Sequence, residues 1–199
     1  MPQLTTGMHL MYVGRFDEGI AEARRALDLD PLSLAFSNAL GGRLLLAGRD
    51  HEAIEQIQRT LEMDPNFAPA HNRLGWACLR NGSYERAIAE FEKAIALSQK
   101  NPDFLTDLGY AQAVTGNRDE ARRILAELRR KREHGFVPSS AFAIVYGALD
   151  DRDEAFAWLE KAYEERDPAL TYLRVGPRFD PLRRDPRFQD FVRRVGLSR

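Results

Sequence analysis

Apolar and polar residues follow a helical period along the chain, and the same arrangement returns every 34 residues. The segments that open with Gly14, Gly48, Gly82, Gly116 and Asp150 each continue into a charged turn and then an amphipathic stretch. A unit of this length accommodates two short helices joined by a turn, and we predict helices of about 12 to 14 residues each. The pattern therefore predicts five helical hairpins in series.

Two columns of small residues keep the same register. The first helices contribute Gly7, Gly41, Gly75, Gly109 and Ala143, and the second helices contribute Gly19, Ala53, Ala87, Ala121 and Ala155. Small side chains allow two helix axes to approach closely, whereas bulky ones would hold the axes apart. We therefore expect the two helices of each hairpin to cross at these columns.

Apolar residues beside the small columns form the predicted core, because they recur on the same helix face. They are Leu40, Leu74, Leu108 and Phe142 in the first helices, and Ile57, Phe91, Leu125 and Leu159 in the second helices. The pairs Asp30-Pro31 and Asp64-Pro65 mark helix ends, since proline cannot continue a helix and biases the preceding residue away from it.

The third hairpin matches the consensus of a known family best, at Leu74-Gly75, Tyr84, Ala87, Phe91 and Ala94. In these residues and in its period, the chain resembles the tetratricopeptide repeat (TPR) family over about residues 1–168. The resemblance implies an all-α fold, a right-handed α-solenoid of five TPR repeats with a short C-terminal helical cap. The sequence departs from the consensus at four places: Ser37, His71 and Leu105 replace a bulky aromatic residue, and Gln99 replaces a terminal proline.

On this register the repeats occupy residues 1–33, 34–67, 68–101, 102–135 and 136–168. The chain begins inside the first helix of the first repeat, so we expect that helix to be truncated. Leu4, Met8, Met11 and Tyr12 would then form an apolar end that can pair with an upstream segment or with another chain.

Residues 169–199 break the repeat and are predicted to cap the stack. A solenoid needs such a segment to cover its last apolar face, and the covering residues are expected to be Phe179, Leu182, Phe188, Phe191 and Val192. The sequence of this tail resembles the C-terminal end of TPR arrays in bacterial multidomain regulators. The resemblance implies that the chain is either free-standing or the C-terminal arm of a larger bacterial regulator.

The composition favours a protein that folds independently and carries almost no net charge. Of the 199 residues 44% are hydrophobic, and 29 basic side chains oppose 30 acidic ones. Neither an anionic membrane nor nucleic acid is attracted to the chain as a whole. A single cysteine, Cys78, and the lack of a readable signal peptide lead us to expect a cytoplasmic protein with a buried, unreactive thiol.

The family resemblance implies that polypeptides bind in the concave groove lined by the first helices. The groove positions on this register are Asn38, Asn72, Arg73, Trp76, Arg80, Thr106, Asp107, Tyr110 and Ser140. Asparagine can pair with a peptide backbone, and aromatic side chains offer rigid contact area. For Trp76 and Tyr110, packing between neighbouring helices is an equal alternative.

Chaperone-binding members of the family hold a C-terminal carboxylate in a clamp of lysines and asparagines. Here Gly42, Trp76 and Tyr110 stand where the clamp has asparagine. The clamp itself is therefore not expected, although Arg73 or Arg80 can still meet a carboxylate.

Three function classes compete. The leading hypothesis is a protein-interaction scaffold, and the alternative is a regulatory or sensor module that binds a small ligand or nucleic acid. Two arginine-rich regions, residues 122–132 and the tail, are interpreted as solvated faces. Enzymatic activity, a metal site and a cofactor are not expected, because the sequence shows no phosphate-binding loop or nucleophile motif, and its four histidines do not share a face.

Overall fold

A computed structural model describes residues 8–196 of the chain, and these residues form α-helices, two 3-10 segments and turns, without a β-strand. The helices are α1 (residues 8–12), α2 (Phe16–Leu29), α3 (Leu34–Leu46), α4 (Asp50–Met63), α5 (Ala68–Arg80), α6 (Tyr84–Leu97), α7 (Pro102–Val114), α8 (Arg118–His134), α9 (Ser139–Ala148), α10 (Arg152–Glu164) and α11 (Pro186–Arg194). The 3-10 segments are Pro168–Tyr172 and Pro177–Leu182. The predicted all-α class of TPR solenoids is confirmed.

The helices belong to two compact units, residues 1–99 and residues 100–199. In the first unit α3 packs on α4 and α5 packs on α6. In the second unit α7 packs on α8 and α9 packs on α10. The repeat boundaries proposed from the sequence stay a prediction. None of the helices within residues 8–196 is long and apolar enough to span a membrane.

The small residues lie where the helices of a hairpin cross. A Cβ atom added to Gly41 would lie 2.8 Å from Ile57, and one added to Gly75 would lie 2.7 Å from the ring of Phe91. Both distances are below normal van der Waals contact, so only glycine fits without a shift. The expected close crossing is confirmed at Gly41 and Gly75, whereas Gly7 lies outside the described residues. Ile57 and Phe91 are fully buried, as predicted for core residues.

Glycine also ends the first helices through its backbone freedom. Gly48 has φ +75°, and the next residue, Arg49, donates its amide to Leu44 O at 2.9 Å, which satisfies a carbonyl at the helix end. The corresponding residue of the last hairpin is Asp150, which adopts the same left-handed conformation with φ +59°.

Two departures from the consensus are compensated by the second helix of the same hairpin. Ser37 Oγ on α3 lies 2.7 Å from Thr60 Oγ1 and accepts a hydrogen bond from Gln56 Nε2 at 2.8 Å, both on α4. His71 on α5 contacts a Glu90 carboxylate oxygen on α6 at 2.7 Å through Nδ1. Polar contacts with the second helix thus take the place of the aromatic residue in each hairpin, and the buried Ser37 and His71 side chains both find hydrogen-bond partners.

The C-terminal segment covers the last hairpin of the second unit, as predicted. The five expected covering residues, Phe179, Leu182, Phe188, Phe191 and Val192, are all buried. The final helix begins at Pro186, where the side chain of Asp185 accepts from the amide of Arg187 and caps the helix.

Candidate protein-binding faces

Five of the predicted groove residues lie on α3 and α5 in the first unit. We call them the N-terminal face: Asn38, Asn72, Arg73, Trp76 and Arg80. Three of these side chains, Asn38, Asn72 and Trp76, are buried and therefore do not line an open groove. Only Arg73, which is half-buried, and Arg80, which is exposed, present their side chains to solvent to a larger extent.

Arg73 crosses from α5 to α3. Its Nε donates to Asn38 Oδ1 at 2.9 Å, and its guanidinium lies directly against Gly42. A Cβ atom on Gly42 would lie 2.0 Å from Nη1 of Arg73, so any side chain there would displace the guanidinium. Gly42 therefore leaves the space that the Arg73 guanidinium occupies. From the sequence Gly42 was recognised only as a replacement for the asparagine of the clamp.

Arg80 is held at the other end of the same two helices. Nη1 donates to Leu45 O at 3.0 Å, and Nε lies 3.1 Å from Asp50 Oδ1. These contacts restrict the rotamer of a long side chain, which lowers the entropy lost when it meets a ligand.

Trp76 belongs to the hydrophobic core. It is 8% exposed and meets the ring of Phe91 edge-on, with ring centroids 6.0 Å apart and an interplanar angle of 79°. For Trp76 the structure decides in favour of packing.

The other four predicted groove residues, Thr106, Asp107, Tyr110 and Ser140, lie on α7 and α9 in the second unit, and we call them the C-terminal face. All four are buried. Thr106 donates to Pro102 O within its own helix, at 2.8 Å.

The remaining three residues of the C-terminal face contact the chain's own C-terminal segment. Arg178 Nη2 donates to Asp107 Oδ2 at 2.6 Å, and Tyr110 Oη donates to Pro177 O at 3.4 Å. The backbone amide of Ser140 donates to Asp167 Oδ2 at 2.9 Å. Residues 167–178 therefore lie on these three positions and cover them, and their part in partner binding stays a prediction.

Burial and neighbouring charges shift the pKa values of Tyr110 on this face and of Arg178, which contacts it. Burial raises the pKa of Tyr110 to about 12, with smaller contributions from the negative charges of Asp180 and Asp107. For Arg178, burial opposes the charged form, but the carboxylates of Asp107 and Asp103 outweigh it and the pKa is raised. The Arg178 guanidinium therefore keeps its charge beside Asp107.

The arginine-rich regions are largely engaged within the chain. Arg132 Nη2 donates to a Glu165 carboxylate oxygen at 2.6 Å and stacks over Trp158, with 5.4 Å to the ring centroid. Arg187 binds Asp185 and Asp153 and lies 4.4 Å from the ring centroid of Phe156. Several of these arginines thus bind groups of the same chain, whereas the sequence had suggested only solvated faces.

Neither the cysteine nor the histidines belong to a cluster of metal ligands in the part of the chain that the structure describes. Burial raises the pKa of the Cys78 thiol, which keeps it protonated and unreactive. Among residues 8–196, no three His, Cys, Asp or Glu side chains gather as metal ligands would.

At the N-terminal end the apolar residues predicted for self-association are only partly exposed. Met11 is fully buried, whereas Met8 and Tyr12 are half-buried, and Leu4 lies outside the described residues. Met11 therefore offers no surface for self-association, and pairing through this end stays a prediction.

Comparison with known proteins agrees with this architecture. Two models described as tetratricopeptide repeat match the sequence, one over residues 4–66 and 48–102 and the other over residues 78–134. Together they span more than half of the chain. No curated protein sequence matches it.

Solved structures of TPR proteins share the fold. The chain superposes on TTC0263, a thermophilic TPR protein of Thermus thermophilus, with a TM-score of 0.68 and 21% identity, covering 99% of this chain and 98% of the other. A tetratricopeptide repeat protein from Parabacteroides merdae gives a TM-score of 0.66 and 16% identity, with 98% and 76% coverage. MamA gives 0.50 and 24% identity, with 80% and 94% coverage.

The repeat register, the hairpins and these matches define the class of protein, an all-α repeat protein of the kind that mediates protein–protein contacts. The chain belongs to the tetratricopeptide repeat family.

Proposed function

We propose that the protein is an interaction scaffold that binds a peptide or partner protein on the N-terminal face. The TPR fold supports a scaffold role in general. The observation that favours this face is the arrangement of Arg73 and Arg80 on α5. Their guanidinium groups are held by Asn38 and Leu45 O of α3 and by Asp50 at the start of α4. Fixed donors recognise a ligand at a low entropic cost.

The chemistry of the face favours a ligand with a carboxylate. A guanidinium group presents several donors in a plane and pairs with a carboxylate in two parallel hydrogen bonds. A C-terminal carboxylate or an acidic side chain of the partner would meet Arg73 or Arg80. Binding should weaken as salt concentration rises, because the half-exposed charges are screened.

A capture experiment tests this proposal. The intact chain and the variant Arg73→Ala/Arg80→Ala are immobilised, and proteins retained from a bacterial lysate are identified by mass spectrometry. Each charge-assisted hydrogen bond contributes roughly 1.5–3 kcal/mol, so we expect the double variant to lose at least about tenfold in affinity for the partner.

The matched control is Arg25→Ala/Arg59→Ala. Both of these arginines are exposed on the second helices α2 and α4 of the same unit, so the control removes the same charge from the opposite side of the hairpins. Equal retention of the partner by both double variants, with helicity preserved in circular dichroism, would contradict the proposal.

The setting of the scaffold is proposed on the sequence alone. We propose a cytoplasmic bacterial protein that acts free-standing or as the C-terminal arm of a larger regulator. The mass of the native polypeptide on an immunoblot distinguishes the two, since a free-standing chain migrates near 22.7 kDa. The alternative, a module for a small ligand or nucleic acid, gains no support from Arg132 and Arg187 of the arginine-rich regions, because these two side chains bind neighbouring carboxylates and aromatic rings.

A further inference from the structure

The segment Gly176–Leu182 lies on the C-terminal face through specific side-chain contacts. Asp107 is completely buried and accepts a hydrogen bond from Arg178 at 2.6 Å. Four residues further along the segment, Leu182 packs onto Gly147 of α9. A Cβ atom on Gly147 would lie 2.9 Å from Leu182 Cγ, so the absence of a side chain at Gly147 makes room for the leucine.

A cap that only covers an apolar surface does not require the ion pair. Burying a carboxylate costs solvation, and a buried ion pair is often no more stabilising than apolar residues of the same volume. Removing one partner, in contrast, leaves an uncompensated charge and is strongly unfavourable. The buried Asp107 carboxylate therefore requires a cationic group opposite it, which a purely apolar cap would not supply.

The segment also holds its own shape. Arg183 Nη1 donates to Arg174 O at 2.6 Å, and Nη2 donates to Gly176 O at 2.9 Å, which closes residues 174–183 into a short loop. Because these bonds are internal to the loop, a peptide of this sequence can form them without the rest of the chain. Such preorganisation reduces the entropy lost on binding.

We propose that the C-terminal face is a peptide-binding site selective for an arginine followed four residues later by leucine, and that Gly176–Leu182 occupies it as a ligand in cis. This proposal rests on the scaffold function proposed above, because both assign peptide binding to the first helices of the hairpins. It assigns to the second unit a ligand of opposite charge to that of the N-terminal face.

Occupation in cis suppresses binding in trans. A tethered segment competes at an effective concentration in the millimolar range. The apparent affinity for a free peptide is therefore the intrinsic affinity multiplied by the fraction of time for which the face is vacant. Weakening the cis contact without damaging the face should therefore reveal the site.

The test uses the full chain and a fluorescent peptide that corresponds to residues 174–184. We expect the variant Arg178→Ala to bind this peptide at least tenfold more tightly than the wild-type chain does, as measured by fluorescence anisotropy. Adding Asp107→Asn to that variant should abolish the gain, and so should replacing the arginine of the peptide that corresponds to Arg178 by alanine. Arg184→Ala, at an exposed position two residues after Leu182, serves as the matched control and should bind like the wild-type chain.

If Arg178→Ala loses helicity, the variant Arg178→Lys replaces it in the test, because it keeps a positive charge opposite Asp107. We expect Arg178→Lys to bind the peptide more tightly than the wild-type chain, by a smaller factor than Arg178→Ala. The proposal is overturned if the folded variants bind the peptide no more tightly than the wild-type chain, or if binding is unchanged by Asp107→Asn. The probe is a segment of this chain, so the proposal can fail while partner capture through Arg73 and Arg80 succeeds, and the reverse also holds.

Discussion

Trp76 and Tyr110 are aromatic residues whose role, packing or partner binding, could not be decided from the sequence. An aromatic side chain on the first helix of a hairpin can pack or bind, and the sequence left both open. Both are 8% exposed, with Trp76 against Phe91 and Tyr110 hydrogen-bonded to Pro177 O. Replacing a buried aromatic residue by alanine costs roughly 3–5 kcal/mol, so such variants report on folding, and the arginines are the better probes of binding.

The turn glycines provide a prediction at the residue scale. Gly82 has φ +74°, and a Cβ atom added there would meet nothing within 4 Å. Gly82→Ala should therefore lower the free energy of unfolding by about 1–2 kcal/mol through backbone strain alone, as measured by urea denaturation. Gly135→Ala is the matched control with little expected change, because Gly135 is extended, with φ −172°. Equal effects of the two substitutions would contradict this explanation.

At the scale of the helical hairpin, the 34-residue period was sufficient to predict the fold. The small columns, the apolar columns and the turn glycines all constrain one local arrangement, so they agree with one another. The compensation of Ser37 by Gln56 and of His71 by Glu90 could not be predicted in the same way. The partners lie 19 residues away in each case, and their pairing depends on side-chain positions that the period does not specify.

The contact between Gly75 and Phe91 allows a prediction about the hairpin crossing. Gly75→Ala would place a Cβ atom 2.7 Å from the ring, which should destabilise the chain by roughly 1–3 kcal/mol. In the background of Phe91→Leu, which makes room, we expect the additional cost to fall by more than about 0.5 kcal/mol in a double-mutant cycle. Additive effects would show that the crossing does not depend on this contact.

The last helix should respond to acid. Hydrogen bonds from Arg187 hold the pKa of Asp185 at about 2, below the value of about 3.9 for an aspartate in an unfolded chain. Because the folded state lowers this pKa, the contribution of the carboxylate is fully present above about pH 4 and is lost as pH falls from about 4 through 2.

We therefore expect the stability difference between the wild-type chain and Asp185→Asn to be constant near neutral pH and to disappear between about pH 4 and 2. Urea denaturation at each pH measures it, with Asp190→Asn as a control for removing an exposed carboxylate of the same helix. A difference that persisted unchanged at about pH 2 would contradict the assignment.

At the scale of the whole molecule, the sequence placed the candidate binding residues correctly on the first helices but could not reveal what covers them. Asp107 and Arg178 are 71 residues apart, and nothing in the repeat connects them. The tail was predicted as an apolar cap, which it is, but its polar contacts with Asp107 and Tyr110 emerge only in three dimensions. The two faces consequently differ: one presents fixed arginines, and the other holds a segment of its own chain.

Hydrogen exchange of the chain with and without its captured partner tests the scaffold proposal most directly. If the N-terminal face binds the partner, amide protection should rise on α3 and α5, whose side chains form that face. Protection that rises only on α4 and α6, the second helices of the same hairpins, with α3 and α5 unchanged, would contradict it.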